Sequence, residues 1–188
     1  SLFDSPAFVP SVPVAQRFHL IGANHYHSSQ WEAGTRRPLH WHLRDPRRAS
    51  LPALLRTLRE RFARPVVISE TSHVGSGRAE WIRTLAAELA QDADAGCTGV
   101  CVYPLVDRPD WDAPAHWHGS GLWDAVPCTH ANGVRRVKNR AAFVALRAAR
   151  QRLAGPVAAA PMHDISLTRA ALTAPKGPAM HALLVFSH

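Results

Sequence analysis

The chain has 188 residues, 46% hydrophobic and 19% charged, a balance that excludes an intrinsically disordered segment and leaves enough apolar surface for a packed core. Its formal net charge of +8 comes from scattered arginines, Lys138 and Lys176 being the two lysines, so no concentrated basic face is present and nucleic acid is not an expected partner. Three cysteines, Cys97, Cys101 and Cys128, are odd in number and irregular in spacing, which excludes a disulfide scaffold and a zinc knuckle and fits a reducing cytoplasm.

The first segment, Ser1 to Val14, lacks the basic and apolar regions of a signal peptide, and no apolar stretch nears the roughly 20 residues a membrane span needs, so a cytoplasmic protein is expected. From Arg17 to His27 a short apolar run ends in polar and aromatic residues, the pattern of a buried strand with a chemically equipped C-terminal end. Ser50 is a cap for a helix whose Leu51, Leu54, Leu55, Leu58 and Phe62 share one face. The continuous apolar run Val66 to Ser69 predicts a strand covered on both faces and ending at Glu70. A glycine-bearing loop leads to a helix over Ala79 to Asp92, with Trp81, Ile82, Leu85 and Leu89 on one side. Gly96 and Gly99 introduce a third strand, Val100 to Val106, which ends at Asp107. A long loop from Arg108 to Gly133 carries Trp111, His116, Trp117, His118 and Trp123, and a helix over Val134 to Leu153 follows, with Val137, Ala141, Val144 and Ala148 at helical spacing.

Alternating strands and helices at these spacings predict βαβ units and a parallel α/β sheet. In such sheets the loops after the strands converge on the functional site, so Asn24, Tyr26, Glu70 and Asp107 are the residues that count. The segment 155–180, rich in Ala, Pro, Thr and Gly, reads as a flexible linker, and 181–188 as the start of a further domain.

Two of these strands carry a resemblance. IGANHYH (21–27) is similar to the "IGxNYY" strand, and VVISET (66–71) to the "ITEN" strand, of family-one β-glucosidases, retaining enzymes built on a (β/α)₈ barrel. The resemblance covers about Phe18 to Trp123 and implies that residues 1–154 are the C-terminal half of such a TIM barrel, since a complete one takes roughly 250 residues. Carried over, Glu70 is the catalytic nucleophile, Tyr26 the residue that hydrogen-bonds it and Asn24 a substrate-binding neighbour. The acid partner, on an "NEP" strand in the family, has no counterpart here and is expected in a missing N-terminal barrel half. Asp107 is given a salt bridge with Arg108 or Arg78 instead. Thr71 stands where the family has Asn, and VYPLVDRPDW replaces its Trp-bearing sugar-binding strand, so the sugar is left open.

The expected partner is a carbohydrate. Trp111, Trp117 and Trp123 can stack on sugar faces or pack the barrel rim, with Trp31 and Trp41 in the same position, while His73 and His118 can donate to hydroxyls. HALLVFSH (181–188) is similar to the first strand of a GT-B glycosyltransferase, which would make a fused transferase the further domain. Two other functions stay open: a non-catalytic carbohydrate-binding module, and a metal-dependent hydrolase using the pairs His25/His27, His40/His42 and His116/His118. No cofactor is expected, and no metal, because alternation turns His25 and His27 away from Asn24 and Tyr26.

Overall fold

The apolar run after His19 becomes strand β1, Ile21–Asn24, in the computed structural model, which describes residues 18–128, 133–154 and 182–185. Helix α1, Leu51–Phe62, starts where the sequence places its cap: the Ser50 hydroxyl accepts the Ala53 amide at 3.4 Å, and Pro52 sits in the first turn, where a missing N–H costs nothing. Strand β2 (Val66–Thr71), helix α2 (Arg78–Gln91) and strand β3 (Cys97–Val102) complete two strand-helix repeats. A hairpin of β4 (Trp123–Pro127) and β5 (Val134–Lys138), helix α3 (Arg140–Ala154) and strand β6 (Ala182–Val185) follow.

Strands β1, β2, β3 and β6 form one sheet in that spatial order, each pair parallel. Spatial order equals chain order, so every crossover moves to the adjacent strand; the reversal that marks a doubly wound sheet does not occur among these four strands. The helices share one face. Leu51 and Leu55 of α1 and Trp81, Leu85 and Leu89 of α2 pack on Val66, Ile68 and Val100 of the sheet. Beside them, Ala79, Ile82 and Ala86 of α2 meet Val102 and an alanine stripe on α3, Ala142, Ala145 and Ala149, whose small side chains let the two helices approach closely. Burial on the order of 1.5–3 kcal/mol per large apolar side chain holds this side together.

The other side of the sheet is a correction to the sequence reading. β2 is covered on one face only: Val66 and Ile68 are 0% exposed, whereas the alternate residues Val67 and Ser69 are half-buried, and Gly22 and Asn24 of β1 are exposed. Continuous apolar character in β2 therefore overstated its cover.

Three boundaries also differ. β3 begins at Cys97 and stops at Val102, because Pro104 has no N–H to continue a ladder, and Val106 instead bridges to Trp123. Val134–Lys138, expected within a helix, is a strand; it pairs antiparallel with β4 and is exposed except at Val137, and Gly133 turns into it at a φ of 78°. Helix α3 is set by a cap the sequence reading passed over, Asn139, whose Oδ1 accepts the Ala142 amide at 3.0 Å. That start shifts the buried stripe, so Ala141, Val144 and Ala148 point outward. Ala182–Val185 pairs with β3 in the same sheet, and the linker reading of 155–180 lies outside the described residues.

Candidate active site

Glu70 lies at a bulge in β2. Asn24 is in register with Glu70 while Ala23 is in register with Ile68, so Ser69 is an extra residue, and the pairing with β3 shifts between Ile68 and Thr71 as well. The burial pattern along β2 records the consequence: Ile68 and Thr71 both face the helices, and the consecutive Ser69 and Glu70 both face the open side. Strict alternation would have sent one of these two side chains into the core.

On the open side a short chain of polar groups ends on Glu70. The Ser69 hydroxyl donates to Asn24 Oδ1 at 2.8 Å, which orients the amide so that Asn24 Nδ2 donates to Glu70 Oε2 at 3.2 Å. The Tyr26 hydroxyl donates to the same Oε2 at 2.7 Å. Burial first, and then the hydrogen bond to Glu70, raises the Tyr26 pKa, so the phenol stays protonated and remains a donor. Among the described residues no hydrogen bond reaches Oε1. One carboxylate oxygen is thus anchored and the other is available to a ligand.

Behind the strand sits an aromatic cluster that fixes the backbone. Thr71 faces the helices, 1% exposed, and its hydroxyl accepts the Trp81 indole N–H at 2.8 Å. His25 stacks on Trp81 at 5.6 Å, and its pKa is lowered to about 4 by burial first and by the nearby Arg48 second. The His25 amide donates to the Glu70 carbonyl at 2.9 Å, so this cluster braces both strands at the site.

His73, expected to reach a sugar, is committed elsewhere. Its Nε2 accepts the Trp41 indole N–H at 3.0 Å, which requires the proton on Nδ1, and Nδ1 donates to the Val74 carbonyl at 2.8 Å. Its ring also lies against His27, tilted, with centroids 3.9 Å apart. Trp123 belongs to β4 and meets Phe143 edge-on at 5.8 Å, a packing position rather than a rim position. Trp111 is 78% exposed with the Arg108 guanidinium over its ring at 4.8 Å, and Trp117 and Trp31 are also exposed.

Asp107 makes neither expected salt bridge. Its carboxylate accepts the amides of Gly119 at 3.1 Å and Ser120 at 2.9 Å, tying down the loop after β3. Arg78 pairs instead with Asp124 at 2.5 Å and donates to the Gly75 and Gly121 carbonyls, joining the loop after β2 to the hairpin. His118 pairs with Asp110 at 2.9 Å, and with His116 these form a group whose ligand-capable atoms lie within 4.8 Å of one another.

Similar solved structures include a mutant of a hyperthermophilic β-glucosidase (TM-score 0.49, 16% identity, 71% of this chain and 35% of that one) and Fpglu1 from Fervidobacterium pennivoraus (0.48, 18%, 73% and 36%). The β-glycosidase from Pyrococcus horikoshii is a third (0.43, 16%, 71% and 35%). The chain spans about a third of the length of each. No protein-family model and no curated protein matches it. No described helix is long and apolar enough to cross a membrane.

Proposed function

We propose that the chain is part of a retaining glycoside hydrolase of the β-glucosidase type and that its four-stranded sheet is a sector of the C-terminal half of a (β/α)₈ barrel. The observation that carries the reading is the carboxylate of Glu70, one oxygen held by Tyr26 and Asn24 and the other without a hydrogen bond among the described residues. The same three residues are those the strand motifs single out. Consecutive strand order, helices on one face and an open opposite face support the barrel sector, whose inner side is the open one.

In this reading Glu70 Oε1 attacks the anomeric carbon, forming a glycosyl ester as the bond to the aglycone oxygen breaks. An acid protonates that oxygen, and the conjugate base then takes a proton from the water that hydrolyses the ester, restoring Glu70 with net retention. Both donors to Oε2 hold the carboxylate still during attack. The backbone amides on both oxygens of Asp107 speak against it as the acid, and in this reading the acid is supplied by another part of the barrel. Trp111 and Trp117 offer apolar faces to the sugar or the aglycone.

A dinitrophenyl β-glycoside tests this on the chain as it stands. Dinitrophenolate departs without protonation, and azide can take the place of a base-activated water. Slow release of dinitrophenolate that Glu70→Gln abolishes is the expected result. Equal release by both proteins would refute the nucleophile and leave a carbohydrate-binding module as the better description.

A further inference from the structure

We propose that Asp110, His116 and His118 form a binding site for a divalent transition-metal ion of the zinc class on the loop that follows β3. The ligand-capable atoms of these three residues lie within 4.8 Å of one another, and among the described residues they are the one such group.

The loop is built to bring them together. The Asp110 amide donates to the His116 carbonyl at 2.8 Å, the His116 amide donates to the Ala113 carbonyl at 2.8 Å, and Pro109 bridges Trp117 in antiparallel fashion, so the chain doubles back and sets Asp110 opposite 116–118. Asp110 is oriented within that turn. Its Oδ1 accepts the amides of Asp112 and Ala113 at 2.8 and 3.1 Å, which leaves Oδ2 to meet His118 Nε2 at 2.9 Å. Extended backbone puts alternate residues on one side, so the two imidazoles of an H-x-H pair project together; here their rings meet edge-on at 5.4 Å.

Donor chemistry decides the class of ion. Two imidazoles and one carboxylate suit zinc and its neighbours, whereas calcium and magnesium take oxygen donors almost exclusively. A tetrahedral ion needs donor atoms about 3.3 Å apart, given metal-ligand distances of about 2.0–2.2 Å. Closing from the observed spread asks for rotation of side chains that solvent reaches, since His116 is exposed and the other two are half-buried. Three protein ligands leave one position for water. The ion would replace the His118 to Asp110 contact and fasten the loop that carries Trp111 and Trp117, a role independent of Glu70.

Equilibrium dialysis of the full chain against zinc chloride, with thermal melts in parallel, tests the proposal. The expected result is one equivalent bound at micromolar zinc with a raised melting temperature, kept in His40→Ala/His42→Ala. His116→Ala and His118→Ala should each weaken binding by at least about 100-fold, the upper end of what even outer-shell changes cost a metal site. Because the His116 side chain is exposed, its variant should melt like the parent without zinc, which separates lost ligation from lost fold. No zinc bound at micromolar concentration, binding undiminished in both loop variants, or binding lost in His40→Ala/His42→Ala would overturn the proposal.

Discussion

At the scale of single residues, the meeting of Asn24 and Tyr26 with Glu70 was legible in the strand motifs, because strand ends are where side chains of a parallel sheet converge. Ser69 was not legible: only a register shift puts it on the same side as its neighbour, and a bulge has no one-dimensional signature in VVISET. His73 shows the opposite failure, a histidine in the right place whose two ring nitrogens are consumed by Trp41 and Val74. His25 carries a pH prediction. Its folded pKa of about 4 lies below the ordinary 6.5, so between these values the unfolded chain binds the proton and the folded chain does not. The associated stability is fully present above pH ~6.5 and is lost as pH falls toward ~4, in total about 3 kcal/mol. Burial shifts His27 in the same direction. Urea denaturation at pH ~7 and ~4.5 should show a steeper loss for the parent than for His25→Gln, and identical pH dependence would refute the assignment.

At the scale of elements, α1 and α2 were predicted within a residue or two because amphipathic spacing and the Ser50 cap coincide. The segment 134–153 was misread because Val134, Val137 and Ala141 fall at helical spacing although 134–138 is a strand. What separates them physically is Asn139, which ends the hairpin and caps α3 by accepting the Ala142 amide, while its own amide bonds the Leu122 carbonyl at 2.9 Å. Asn139→Ala should therefore cost about 1 kcal/mol in a chemical denaturation series, with Asn139→Ser, whose hydroxyl can accept the Ala142 amide without setting a second carboxylate against Asp124, retaining most of the stability. Equal losses in both variants would mean that the cap contributes through something other than its side-chain acceptor.

At the scale of the whole molecule, parallel α/β class and the order of the first three strands followed from the alternation of periods, whereas the one-sided cover of the sheet did not. An apolar strand reads the same whether its second face meets a helix layer or other strands' side chains, and only the three-dimensional arrangement shows that Val67 and Ser69 lack such cover here. This asymmetry is measurable. Ile68→Ala, on the packed face, should cost about 2–5 kcal/mol, and Val67→Ala, one residue before it and half-buried, well under half of that. Similar losses at the two positions would show that the inner face is filled.

The central claim is that Glu70 is a nucleophile. It is tested most directly by incubating the chain, and a version extended upstream, with a panel of 2-deoxy-2-fluoro glycosyl fluorides and measuring intact and peptide masses. These reagents form the glycosyl ester but release it slowly. The account predicts a single adduct that maps to Glu70 and is absent in Glu70→Gln; an extended protein that gains no adduct with any sugar, or gains one at another residue, would contradict it.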